Sequence, residues 1–156
     1  MLNTHSFIRH SSFTFFIAGL LLLLGSSIPL REEGLTEDIL TYTNQFRRSK
    51  GLPALIIRND LNAIAGRHSE DMANGRIGFG HAGFDERQAE AEKLIRPYYG
   101  IAENVAYGPV TGEEVVAMWQ NSNGHRKNIL GDYKWIGIGT ATDRRGMIYY
   151  TQIFVR

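Results

Sequence analysis

The sequence predicts an α+β domain in which helices cover a sheet. Two observations predict it. Through most of the chain after Leu35, apolar residues recur at spacings of three and four, the period of helices with one buried face. From Tyr133 to the end the pattern changes to strand-forming runs, so the strands cluster late and do not alternate with helices as in a βαβ chain. A length of 156 residues suits one domain. A composition of 43% hydrophobic and 21% charged residues excludes a disordered or low-complexity chain. The formal net charge of +1 sets up no basic field for nucleic acid. There is no Cys, which excludes a disulfide scaffold, a Cys-ligated zinc site, an iron–sulfur cluster, a thiol nucleophile and a lipid-modified N-terminal Cys.

The first stretch is read apart from the domain. Arg9 precedes an apolar run, Phe13 to Gly25, and no charged residue follows until Arg31. A short basic region, a short apolar run and small residues at Gly25 and Ser27 predict a secretory signal peptide over residues 1–27. The alternative is an uncleaved anchor, since the uncharged stretch from Phe13 to Leu30 approaches the length of a span. In both readings the rest is exported. Cleavage would remove one Arg and no acid, leaving the basic and acidic residues equal in number. Residues 28–34 read as a short tether and residues 35–156 as the domain.

Within the domain, Leu35, Ile39, Tyr42 and Phe46 mark one helical face, with acids in the first turn and bases in the last, and Gly51 and Pro53 end the helix. Leu55 to Ile57 is a strand or an extended connector. A second helix is expected from about Asp60 to Gly75, capped by Asn59 or Asp60, with Leu61, Ile64, Ala65, His68 and Met72 as its buried stripe. Gly75, Gly78, Gly80 and Gly83 make a loop that carries His81. Asp85 to Arg96 reads as a solvated helix ended by Pro97, and IAENVAYG follows. Thr111 and Glu114 match a capping box, opening a helix that carries Val115, Met118 and Trp119. Ser122 or Asn123 caps a further short helix closed by Gly131. Trp135 to Thr140 and Met147 to Val155 read as two strands joined by the turn Asp143-Arg-Arg-Gly146.

Few groups could carry chemistry. The exported part has three His. His68, on an apolar stripe, reads as a core His with a hydrogen-bond partner. His81 sits in a loop and His125 at a helix start, where reactive groups are easily presented. Glu103 lies among apolar neighbours, so it is expected to be paired, capping or functional. Two imidazoles and a carboxylate suit a divalent metal, or water activation with Glu103 as base. However, His81, Glu103 and His125 lie far apart along the chain, and no local spacing forces them together. Ser122, His125 and Glu103 supply the residue types of a Ser–His–acid triad, but no Gly-x-Ser-x-Gly elbow surrounds Ser122, and a helix N-cap is the favoured reading. The run GIGTATDRRG is no dinucleotide fingerprint, because no helix follows its glycines. Arg144 and Arg145 read as a solvated turn tip, and Trp119, Trp135, Tyr149 and Tyr150 as core in preference to a ligand groove.

Taken in order, TYTNQFRRSKGLPAL, LNAIAGRHSEDMA, FGH, AENVAYG, EEVVAMWQNSNGHRKNIL, WIGIG and YYTQIF resemble the CAP or SCP domain, the family of cysteine-rich secretory proteins, antigen 5 and pathogenesis-related proteins. The resemblance runs from about Leu35 to Phe154, and the short loops resemble the compact bacterial type. It implies an α-β-α sandwich with a central antiparallel sheet. It also implies a cleft of two His and two acids that binds a divalent cation such as zinc in several members. His81, Glu103 and His125 match three of those positions. The second acid is expected three residues after Trp119, where this chain has Ser122, and Glu113 and Glu114 lie on the wrong side of Trp119 to replace it.

The expectation is therefore a secreted or cell-envelope protein with a ligand cleft of His81, Glu103, Ser122 and His125. His81 and His125 would be the ligands for zinc or another divalent cation. The cleft is expected to bind that cation, or a small lipid, cell-wall or host-surface ligand, without turnover. The alternatives are a protease-like hydrolase using Glu103, His125 and His81, and a structural or interaction domain with a vestigial cleft. No nucleic-acid partner is expected, and membrane contact only through an uncleaved N-terminal segment.

Overall fold

A computed structural model describes residues 30–108 and 111–156, with side chains from residue 34 onward. The expected signal peptide, residues 1–27, lies outside the described residues. The described chain runs α1 (Leu30–Ser49), β1 (Ile56–Ile57), α2 (Asn59–Ala73), α3 (Phe84–Leu94), β2 (Ile101–Tyr107), α4 (Gly112–Asn121), α5 (Asn123–Ile129), β3 (Trp135–Thr142) and β4 (Ile148–Val155). Helix α1 begins at Leu30, so most of the expected tether is helical. The segment Leu-Arg-Glu-Glu consists of good helix formers, and the single Gly34 inside this long helix costs only about 1 kcal/mol.

The four strands form one sheet in the order β1-β3-β4-β2. β4 pairs antiparallel with β2 on one side and β3 on the other, while two-residue β1 pairs parallel with β3, making the sheet mixed at that edge only. IAENVAYG, for which no element was expected, is the edge strand β2. Its run from Ala102 to Ala106 is buried throughout, so it lacks the alternation that marks a half-exposed strand.

Helices α1, α4 and α5 cover one face and α2 with α3 the other, an α-β-α sandwich. The first face buries Ile39, Val115, Val116, Trp119, Ile129, Tyr150 and Phe154 in one cluster. The second buries Leu61, Ile64, Ala65, Ala91, Ile153 and Val155. Trp119 and Tyr150 are core, as the sequence predicts. On the second face α2 lies almost flush on β3. A Cβ at Gly137 would stand 2.4 Å from the Leu61 carbonyl carbon, and one at Gly139 would stand 2.2 Å from that of Ala65. These glycines are therefore required by the close approach of helix and sheet.

The local signals hold at several ends. Thr111 and Glu114 form the reciprocal capping box that opens α4. In the β3–β4 turn, Asp143 Oδ1 accepts from the amides of Arg145 and Met147, and Gly146 takes a φ of 83°. Two caps differ from expectation. The residue before α2 is Arg58, which caps nothing with its side chain and instead pairs with Asp60. Ser122 occupies the position before α5 but makes no side-chain capping bond.

Candidate functional site

β2 is the edge strand, so both layers can reach around it. The loop after α2 brings His81 from one side and α5 brings His125 from the other. Side chains of the first layer close the edge by hydrogen-bonding its backbone: Asn128 Nδ2 donates to the Glu103 carbonyl at 3.0 Å, and Trp119 Nε1 to that of Val105 at 3.2 Å. Unpaired edge carbonyls are thereby satisfied.

Glu103 and Val105 alternate with Asn104, so their side chains face the α2 layer while Asn104 faces the other. Glu103 pairs across the sheet with Ile153, a member of the α2-side cluster. Its side chain is 1% exposed. Burying a carboxylate this deeply requires compensation, and it comes from two residues. Arg87 grips it from α3 in a bidentate fork, with Nε on Oε2 at 2.7 Å and Nη2 on Oε1 at 2.8 Å. His81 Nδ1 lies 2.8 Å from Oε1. Arg87 also donates to the Ala82 carbonyl at 2.8 Å, tying the His81 loop to the same guanidinium.

His81 is thus held by its Nδ1 while its side chain stays 52% exposed, leaving Nε2 free to face a ligand. His125, half-buried, sits where Asn104 Nδ2 donates to its carbonyl at 3.2 Å, and Asn104 in turn accepts from Asn128 at 2.9 Å. Burial, and secondarily the nearby His81, lowers the His125 pKa from its ordinary value of 6.5. At neutral pH its imidazole is neutral and carries a lone pair.

The structure therefore joins Glu103 to His81 directly and sets His125 against the same strand through Asn104 and Asn128. It does not assemble a triad. Ser122 makes no side-chain hydrogen bond to His125 or Glu103, and Glu103 bonds His81, not His125. Nor does a third His, Asp or Glu converge with any pair to form a metal-holding group among the described residues. A closed four-ligand site does not fit these residues. The open donors at this edge are the imidazoles of His81 and His125, a group type that ligates zinc.

His68 is buried and hydrogen-bonded, as its place on the α2 stripe predicts. Its Nδ1 lies 3.2 Å from Thr151 Oγ1 and 3.8 Å from Glu103 Oε2. The sequence reading missed Arg87, because a helix rich in charge reads as solvated. One signal was present: Arg87, Ala91 and Ile95 recur every four residues, and all three are buried. Asn104 and Asn128 carried no such signal, since their partners are distant in sequence.

The profile of the CAP family, described as the cysteine-rich secretory protein family, matches residues 40–154. The chain is 35% identical over 123 residues to the uncharacterized membrane protein YlbC of Bacillus subtilis, covering 77% of this chain and 34% of YlbC. It is 34% identical over 117 residues to the uncharacterized protein YkwD of the same organism, covering 73% of this chain and 45% of YkwD. Its fold is similar to an extracellular SCP-domain protein of Bacillus anthracis, with a TM-score of 0.70 and 27% identity, covering 85% of this chain and 45% of that one. The chain thus spans less than half the length of each of these relatives. The profile match across most of the chain, the identity to YlbC and YkwD and the α-β-α architecture agree, and the chain belongs to the CAP family.

Proposed function

We propose that this chain is an exported binding domain whose cleft, between His81 and His125, holds a ligand without chemical turnover. The observation that carries this reading is the engagement of Glu103. Both of its oxygens accept hydrogen bonds from Arg87 or His81, and its side chain is closed to water. A general base must reach the proton it abstracts. Glu103 is instead spent on orienting His81, which disfavours the hydrolase reading and the triad built on Ser122.

The groups left open in the cleft are imidazole nitrogens. His81 and His125 would hold zinc or another divalent cation, which when bound supplies a Lewis-acidic attachment point for an oxygen or nitrogen of the ligand. The ligand class implied by the family is a small lipid, cell-wall or host-surface molecule. Export is supported by the extracellular relative in Bacillus anthracis and by the predicted signal peptide. Among the described residues no helix is long and apolar enough to cross a membrane.

The test is calorimetric titration of the purified protein with zinc, run beside a broad hydrolase screen. The expected result is weak zinc binding that His81→Ala and His125→Ala each abolish, with no turnover. Turnover lost in Glu103→Gln would overturn the reading, and zinc binding unaffected by both His variants would move the cation elsewhere.

A further inference from the structure

A chain of polar side chains runs through the α1–α4–α5 side of the sheet and ends at His125. Its members are Thr43 on α1, Gln152 on β4, Asn104 on β2 and Asn128 on α5, and the first three are 0% exposed. Gln152 and Asn104 are partners across the β2–β4 ladder. Gln152 Nε2 donates to Thr43 Oγ1 at 2.9 Å. Asn104 Nδ2 donates to Gln152 Oε1 at 3.3 Å and to the His125 carbonyl at 3.2 Å. Asn128 Nδ2 donates to Asn104 Oδ1 at 2.9 Å and to the Glu103 carbonyl at 3.0 Å.

Two backbone carbonyls fix the direction of every link, because a carbonyl oxygen can only accept. The Glu103 carbonyl holds the nitrogen of Asn128, and that nitrogen turns the oxygen of Asn104 toward itself. The nitrogen of Asn104 is left facing the His125 carbonyl and Gln152, and its two hydrogens are spent there. Gln152 must then offer its oxygen to Asn104 and its nitrogen to Thr43. Turned over, the Asn104 amide would set its oxygen against the His125 carbonyl and its nitrogen against Asn128 Nδ2. Mismatches of this kind are costly where no water can relieve them.

His125 comes from a helix that needs such a hold. α5 has seven residues and no side-chain N-cap. A helix that short has little stability of its own. Arg47 holds its end, donating to the Ile129 carbonyl at 2.7 Å. Asn104 holds its first turn, at His125 itself.

We propose that Asn104 is a positioning residue for His125, and that Gln152 keeps the Asn104 amide turned toward it. The carbonyl and the imidazole of His125 share one Cα, so the bond that fixes the first also fixes the base from which the second projects. This inference rests on the reading of His125 as a cleft ligand.

The test compares Asn104→Leu with the double variant Asn104→Leu/Gln152→Met. Three quantities are measured: the urea midpoint, zinc affinity by calorimetry, and the order parameter of the His125 Cε1–H bond by NMR of 13C-labelled histidine. Asn104→Leu leaves Gln152 Oε1 without its donor, so the midpoint should fall. Adding Gln152→Met makes both partners apolar and should restore most of it. Zinc affinity should fall about tenfold, the effect of losing a group that orients a metal ligand, and stay low in both variants. The His125 order parameter should fall in both, while that of His81 holds. Side chains that only stabilise the core would instead let all three quantities recover together. An unchanged His125 order parameter in Asn104→Leu, or its recovery with the midpoint in the double variant, would overturn the proposal. A wild-type protein that binds no zinc would overturn the cleft reading instead, and the His125 order parameter would still decide this one.

Discussion

Among the described residues each face of the sheet buries one arginine, and the two are satisfied by different means. On the α2–α3 side, Arg87 meets a full countercharge, the carboxylate of Glu103. On the α1–α4–α5 side, Arg47 is 1% exposed and meets only carbonyls: Ile129 at 2.7 Å, Gly131 at 2.9 Å and Pro53 at 2.9 Å. Ile129 ends α5, where the helix dipole concentrates negative charge. Burial lowers the Arg47 pKa, opposed only by the charge of Asp132. The difference separates scaffold from site. Dipoles suffice to clamp the end of α1 to the end of α5. A carboxylate partner on the other side does more, because it also holds the imidazole of His81.

Removing each guanidinium tests this contrast most strongly. Arg87→Met leaves Glu103 as a buried, uncompensated charge, and we expect a loss of about 3–5 kcal/mol in urea denaturation. Adding Glu103→Gln should recover much of it. Arg47→Met leaves neutral carbonyls behind, so about 2–3 kcal/mol is expected, with no single partner substitution that rescues it. Equal losses and equal lack of rescue would erase the distinction between the faces.

A second pair of variants tests the packing difference. Gly139→Ala drives a Cβ into the backbone of α2, and overpacking of about 1–3 kcal/mol is expected from the denaturation midpoint. Gly124→Ala in α5 meets nothing within 4 Å and should leave the midpoint unchanged or slightly raised. A neutral Gly139→Ala would mean that α2 stands further from the sheet than a 2.2 Å approach allows.

The smallest effect is expected from pH. His68 and His125 both have pKa values lowered in the fold, by burial first. The unfolded chain then binds more protons than the folded one. Their contribution is complete above the ordinary value of 6.5 and is lost as pH falls through the depressed folded values. The urea midpoint should therefore drop between about pH 7.5 and about pH 5, and His68→Gln should flatten the slope. A midpoint that rises on acidification would contradict a neutral, buried His68.

Much of the architecture was legible in advance because its causes are local. The stripe of α2, the capping box at Thr111 and the turn at Asp143 each arise between close neighbours in the chain, and each stands where the sequence predicts. Two elements escaped for a physical reason. The edge strand β2 is covered on both faces, so its residues do not alternate. Helix α3 looks solvated by composition, yet it turns Arg87 inward. Within the site, His81, Glu103 and His125 were named from residue type, from their loop, apolar and helix-start settings and from the family resemblance, and the structure bonds the first two and sets His125 against the same strand.

The sequence by itself determined the fold class, the lack of covalent staples and the short supply of reactive groups. These follow from composition and from periodicities that neighbouring residues set among themselves. The tertiary structure alone decided what those groups can do. Glu103 is paired with a residue 16 positions away and His68 with one 83 positions away. Such pairings depend on which helix packs against which strand, and no local spacing encodes them. An acid that could have been a base became a fixture for a histidine, and a core histidine was closed off against a threonine.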